Sequence, residues 1–196
     1  LLNINTLQLI MSLESNPWQV LSSAQAYSNP WISVTEHQVL NPNGNPGIYG
    51  VVHFKNTAVG VLPLDAELNT WLVGQYRFPL NAYSWEIPEG GCSASETLLE
   101  AAARELQEET GLSAARYTHL LQMHLSNSVS DEVAELYLAE QLEQHSASPE
   151  DTEQLLVKKL PFEEAYQMVL RGEITDAMSV AAILRAKLLL AGSPSR

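Results

Sequence analysis

Cysteine occurs once in these 196 residues, at Cys92, so no disulfide can close within the chain and a reducing cytoplasm is the expected compartment. Long apolar runs are missing as well. Nothing approaches the roughly 18 residues of a membrane span, and the stretch from Leu1 to Leu13 lacks the basic segment that opens a secretory signal. Met11 is a candidate natural start. Positive charge is the third scarcity: ten Lys and Arg stand against 23 Asp and Glu, a formal net charge of −13. That balance argues against gripping nucleic acid through a basic surface. Only Lys55 and Arg77 precede residue 90, so each is informative. None of the five histidines, His53 and His124 included, has a ligand-like companion at metal-binding spacing, and all five read as structural or surface residues. A hydrophobic content of 45% supports a folded globule. The length suits one domain with a substantial core; the reading assigns residues 1–28 to an N-terminal extension, 29–191 to a single domain and 192–196 to a tail.

What is present is concentrated between Gly90 and Leu112. Gly90 is followed by five residues and Glu96, then by seven more and the run Arg104-Glu105-Leu106-Gln107-Glu108-Glu109-Thr110-Gly111-Leu112. Leu98, Leu99, Ala102, Ala103 and Leu106 recur at helical spacing, no Pro or Gly interrupts residues 92 to 110, and Gly111 stands where a helix stops. The spacing predicts a helix over 97–110. At about 100° per residue, Leu99, Ala102, Leu106 and Thr110 share one face, while Glu105, Glu108 and Glu109 fall on an adjacent arc. Like charges three and four residues apart destabilise a helix by a few tenths of a kcal/mol each. A bound cation reverses that sign. Carboxylate oxygens are hard ligands, so the expected ion is Mg²⁺, with Mn²⁺ as its substitute, rather than zinc. Such ions also supply the local positive charge that a chain of net charge −13 otherwise lacks for holding phosphates. Arg104 can hold a neighbouring carboxylate by a two-pronged hydrogen bond.

Around this segment the pattern is strand-rich. Trp31 to Val39 and Ile48 to Phe54 flank the turn-forming Asn41-Pro42-Asn43-Gly44-Asn45-Pro46-Gly47 and read as a hairpin. Ala58 to Leu64 and Thr70 to Tyr76 read as a second strand pair around Asp65–Asn69. Strands are expected at 117–125, 133–140 and 155–160, then helices over 162–171 and 176–190. Strands, one helix, more strands and two closing helices suit an α/β chain whose mixed sheet is covered by helices.

The segment Gly90 to Leu112 fills every spaced position of a Nudix box, and the chain resembles the Nudix hydrolase superfamily. The approach Trp71-Leu72-Val73-Gly74-Gln75-Tyr76-Arg77, then Trp85-Glu86-Ile87-Pro88-Glu89-Gly90-Gly91, is similar to that of the ADP-ribose and nucleotide-sugar pyrophosphatases. So is the ending Phe162-Glu163-Glu164-Ala165 through Gly172-Glu173-Ile174-Thr175-Asp176-Ala177. The resemblance implies a Nudix-like α/β/α sandwich and Mg²⁺-dependent hydrolysis of a nucleoside diphosphate sugar, ADP-ribose-like, to a nucleoside monophosphate and a sugar phosphate. It further implies Glu105 and Glu109 as metal ligands, Glu108 as a further or water-mediated one, and Glu89 as a ligand through its main-chain carbonyl. Gly90 would allow the tight turn, Glu96 would brace the loop, and Arg104 and Gly111 would serve the motif's structure. A homodimer is implied by the N-terminal strands, which in relatives pair across subunits.

Other roles are more open. Two acidic stretches match the loops that assist catalysis in relatives: Glu132 as a helper and Glu153 as base, against the alternative of ordinary loop carboxylates. Arg77 is available to clamp a phosphate, or is a surface ion-pair partner; Glu86 is available to sugar or base hydroxyls. Trp31 is placed either to stack on a nucleobase or to anchor a dimer interface. One departure is Asn127, which occupies the position where ADP-ribose pyrophosphatases commonly carry Pro. It weakens that substrate specifically and opens the question to other nucleotide sugars. A rival from another class is a catalytically weak Nudix domain that only senses or binds nucleotides. Such domains usually lose a box carboxylate, whereas Glu105, Glu108 and Glu109 are all retained.

Overall fold

A computed structural model describes residues 15–145 and 155–192 and divides the chain into two units. The first runs through Lys55 and takes in Ser128–Asp131; the second comprises Asn56–Asn127 and the chain from Glu132 onward. The division thus falls after Lys55, whereas the sequence reading ended its extension at residue 28.

The first unit is an antiparallel sheet of β1 (Gln19–Ser28), β2 (Ile32–Leu40) and β3 (Pro46–Phe54), in that order. β2 and β3 are the expected hairpin. Asn41 makes its turn, with Oδ1 accepting the N–H groups of Asn43 and Asn45 at 3.0 Å each. β1 lies inside the presumed extension and was missed, because its residues give little apolar alternation and all ten are exposed. Ser128–Asp131 lies along β3: Val52 N–H donates to Val129 O at 2.8 Å, Asp131 N–H donates to Val52 O at 3.2 Å, and His53 Nδ1 stands 2.7 Å from Asp131 Oδ2.

The second unit holds β4 (Thr57–Pro63), β5 (Asn69–Arg77), a 3-10 turn (Phe78–Leu80), β6 (Ala82–Glu86), β7 (Glu89–Cys92), α1 (Leu98–Thr110), β8 (Leu112–His124), β9 (Val133–Gln144), β10 (Leu156–Pro161), α2 (Phe162–Leu170) and α3 (Ala177–Gly192). One sheet has the order β7-β4-β9-β8, with β4 and β9 parallel and the other pairs antiparallel. The second has the order β10-β5-β6. β4 and β5, expected to pair with each other, go to different sheets. The Asp65–Asn69 turn forms as read, with Asp65 Oδ1 accepting the N–H groups of Glu67 at 3.0 Å and Asn69 at 2.7 Å. The strands nevertheless part, because β4 is apolar on both faces and buries them as a central strand.

Val59 and Val61 point from β4 into a core shared with Trp71, Ala101, Ala102 and Leu106, under α1. Leu62 points the other way, into a core with Leu72, Ile87, Leu136, Phe162 and Ile183, under α2 and α3. Helix, sheet and helix layers result, which is the expected α/β/α sandwich with a mixed sheet.

α1 spans nearly the residues expected. Thr97 and Glu100 form a reciprocal capping box, and Gly111 closes the helix at φ 71°, where a side chain would be strained. Its inward face differs by one position from the expectation. Ala101, Ala102, Leu106, Glu109 and Thr110 are buried, while Leu99, assigned to the core face, is 46% exposed. Glu109 takes a buried place on this face, where it accepts the Glu89 N–H.

Candidate active site

The site is assembled where β7 and α1 face each other in the second unit. β7 pairs with β4 from Gly60↔Glu89 to Thr57↔Cys92, so Glu89 and Gly90 are held as strand rather than as a free loop. Glu89 N–H donates to Glu109 Oε2 at 3.0 Å. Gly90 must lack a side chain for a reason of space: a Cβ there would lie 2.1 Å from Glu105 Oε1. The Glu105 carboxyl therefore rests directly on the Gly90 backbone.

Arg104 is the hub of the box. Its Nε and Nη2 reach both oxygens of Glu96 at 3.1 and 3.0 Å, the two-pronged bond expected of it, although the partner is the distant Glu96 rather than an adjacent glutamate. Nη1 then donates to Glu105 and to Glu108 at 2.9 Å each, and Nη2 donates to Gly91 O at 3.0 Å. Glu96 also accepts Ser93 N–H at 3.1 Å, which bends the loop between β7 and α1. The Arg104 guanidinium and the Ser93 N–H hold the Glu96 carboxyl down to about 2. Its assigned role of bracing the loop matches this geometry.

A second arginine faces the same strand. Arg77, at the end of β5, donates from Nε to both Glu86 oxygens at 2.9 and 3.0 Å and from Nη2 to Glu86 Oε2 at 2.5 Å. Nη2 also reaches Glu89 Oε1 at 3.2 Å. Glu86 is almost wholly buried, so this pair sits at the protein's edge of the site and is no ordinary surface ion pair. The remaining Glu89 oxygen, Oε2, is buried with no hydrogen-bond partner among the described residues. Burial, followed by the negative charges of Asp176 and Glu86, pushes the Glu89 carboxyl well above the usual carboxylate range.

Sequence reasoning overlooked Asp176 as a site residue. It stands immediately before α3, where Oδ2 accepts Ser179 N–H at 2.7 Å. Its charge also reaches Glu132, whose carboxyl is raised by burial and then by Asp176. In the sequence Asp176 reads only as the first residue of the closing helix and as part of the family-like ending Gly172–Ala177. Trp31 belongs to the first unit, where it is 67% exposed at the turn before β2. Glu153 lies outside the described residues. Four of the histidines have side-chain partners: His37 with Ser23, His53 with Asp131, His119 with Glu135 and His145 with Ser113.

Among the described residues no three acidic, histidine or cysteine side chains converge closely enough to hold a metal ion outright. The glutamates are instead shared out among Arg104, Arg77 and the Glu89 N–H. The donors nonetheless fit a hard divalent cation. They are all oxygen, Glu89 Oε2 is buried without a partner among the described residues, and Gly90 leaves the Glu105 carboxyl a bare backbone to lie against.

Residues 54–185 match the sequence model of the NUDIX domain, and residues 18–52 match that of the nucleoside diphosphate sugar hydrolase N-terminal domain. The chain belongs to the Nudix family. This Nudix chain is 30% identical over 184 residues to the ADP-ribose pyrophosphatase of Mycobacterium tuberculosis, covering 92% of itself and 88% of that protein. It is also 30% identical over 167 residues to the ADP-ribose pyrophosphatase of Bacillus subtilis, covering 84% of itself and 90% of that protein. Among solved structures it is similar in fold to an ADP compounds hydrolase, with a TM-score of 0.80, 21% identity, and coverage of 89% of this chain and 95% of that one. The chain is accordingly a Nudix diphosphatase, and Nudix hydrolases use divalent metals. The two matched segments meet near the boundary between the two compact units.

Proposed function

We propose that this Nudix diphosphatase hydrolyses the diphosphate linkage of a nucleoside diphosphate sugar, ADP-ribose or a close analogue, with Mg²⁺ as cofactor and Mn²⁺ as substitute. The products are a nucleoside monophosphate and a sugar phosphate. The observation that carries this reading is the packing of Glu105, Glu108 and Glu109 around Arg104 and the Glu89–Gly90 backbone, with every box carboxylate retained. The names of the two curated relatives and the N-terminal domain match support the substrate class.

Glu105, Glu109, Glu108 and the Glu89 main chain would hold the metal. When bound, it would neutralise the diphosphate and lower the pKa of water at phosphorus. The protein's own groups do the rest. Arg77, kept firmly protonated chiefly by its hydrogen bonds to Glu86, sets a fixed positive charge beside the strand for a substrate phosphate. Glu86 both orients that arginine and offers acceptors to sugar or base. Glu132 serves as helper to the base, its carboxyl pushed in the direction that proton acceptance near neutral pH requires. Glu153 is assigned as the base, and Trp31 as the aromatic surface for a nucleobase.

A homodimer in the cytoplasm completes the proposal. Among the described residues of the first unit only Val39 is a buried apolar side chain, while Val20, Leu21, Trp31 and Ile48 are each more than half exposed. A three-stranded sheet with so little interior gains from being covered, and a second copy is the expected cover.

The deciding experiment is a panel of nucleotide sugars incubated with and without Mg²⁺, followed by a phosphatase and by identification of both products. Expected are metal-dependent release of a nucleoside monophosphate and ADP-ribose among the preferred substrates, with other sugars close behind because Asn127 stands where those enzymes commonly have Pro. Absence of turnover across the panel, with a nucleotide still raising the melting temperature, would make the chain a binding module instead.

A further inference from the structure

The segment entering the box, Glu86–Glu89, is fixed by four separate anchors. The Glu86 side chain is held by Arg77, Pro88 O accepts Val61 N–H at 2.8 Å, and Glu89 N–H donates to Glu109 at 3.0 Å. The fourth comes from much further along the chain. Ile87 N–H donates at 2.9 Å to the hydroxyl of Ser179, 92 residues away, and both residues are 0% exposed. Ser179 lies in the first turn of α3, where its own N–H is accepted by Asp176 Oδ2 at 2.7 Å and Val180 N–H by Asp176 O at 2.9 Å.

A hydroxyl buried in an apolar core is costly unless it is hydrogen-bonded, and a main-chain N–H left without a partner there is costlier still. Ser179 is the one polar residue in the run Ala177 to Leu184. The hydroxyl is explained by Ile87. Because Ile87 is two residues before Glu89, and Pro88 between them is restricted in φ, a displacement of the Ile87 peptide passes to the Glu89 peptide with little slack.

We infer that Ser179, braced by Asp176, is a positioning residue for the diphosphate site, holding the Ile87–Glu89 main chain against the glutamates of α1. The inference rests on the metal-binding reading above. It assigns to the C-terminal helix a part in the metal affinity of a box that lies 67 residues before it, counted from Thr110 to Ala177.

The test compares Ser179→Ala with Ile183→Val, a second fully buried position on the same helix, in the apolar core. Mn²⁺ alone is titrated into each purified full-length chain by calorimetry, alongside melting temperature, kcat and KM. Ser179→Ala should weaken Mn²⁺ binding about 10-fold, the usual scale for losing a residue that orients a ligand. Its kcat should fall with KM little changed, while Ile183→Val loses stability without moving either. If Ser179→Ala does not fold, Ser179→Cys, which is slightly larger and accepts only weakly, takes its place. Unchanged Mn²⁺ affinity in the serine variant, or an equal change in Ile183→Val, overturns the inference and leaves the proposed function standing. A wild-type chain that takes up no Mn²⁺ overturns both.

Discussion

Glu109 is 3% exposed and accepts the Glu89 N–H, so its replacement separates charge from shape. Glu109→Gln keeps an amide oxygen for that N–H and the same volume. We expect little change in melting temperature and a loss of activity well beyond the roughly 10–100-fold typical of a residue that only orients a ligand. Wild-type rates at saturating Mg²⁺ would refute the assigned role. Glu96 gives a prediction in pH. Its carboxyl is ordinarily at 4.5 and is held to about 2 in the folded chain, so the folded state binds fewer protons than the unfolded state between those values. The pair with Arg104 thus stabilises the protein above about pH 4.5 and loses that contribution as pH falls toward 2. Glu96→Gln should flatten this part of an acid-unfolding profile; an unchanged profile would remove Glu96 as a contributor. At this scale the box residues were legible because the motif's fixed spacing is written in one continuous stretch, Gly90 to Leu112. The engagement of Arg77 by Glu86, and the approach of Asp176 and Ser179 to residues 87–89, were not, since no spacing rule links side chains brought together by different strands and helices.

Single elements carry their own signals. α1 begins at a capping box and ends at a left-handed glycine, of which only Gly111 was read from the sequence, and Thr97→Ala should cost about 1 kcal/mol. On a chain of this size that amounts to a melting shift of roughly 2–4 °C, measurable by calorimetry. A shift near zero would mean that the Thr97–Glu100 reciprocity adds nothing. β7 is the opposite case. Four residues containing two glycines gave no strand signal, yet they pair with β4 and set Gly90 under Glu105. Gly90→Ala would force the Glu105 carboxyl away from a Cβ only 2.1 Å from its oxygen. Lost Mg²⁺-dependent activity is expected with the fold retained, checked by activity and circular dichroism together; near-normal activity would show that Glu105 need not rest there. Leu99 marks the limit of periodicity. An apolar residue at helical spacing was assigned inward, but it is exposed while Glu109 is buried.

For the whole molecule, the exposed apolar side chains of β1–β3 lead to the expectation of a dimer. Light scattering at working concentration should give twice the mass of the 21.6 kDa chain, and Ile48→Glu, on the exposed sheet, should shift it toward monomer. A monomeric wild type would dismiss the dimer and leave the site untouched. The formal charge of −13 is also a property of the whole, and against it the two arginines at the site supply local positive charge. Arg77 from β5 and Arg104 from α1 both reach β7, at Glu89 Oε1 and Gly91 O.

The residues by themselves determined the box helix with its Gly111 stop, the β2–β3 hairpin, the closing helices and the α/β class, because all of these depend on interactions within a few turns or on periodic burial. Strand partnership was decided only by the tertiary structure. β4 leaves its sequence neighbour β5 to lie beside β9, since a strand apolar on both sides is stabilised most in the middle of a sheet. The same long-range packing carries Asp176 and Ser179 to the edge of the box, where a buried N–H needs an acceptor that no nearby residue supplies.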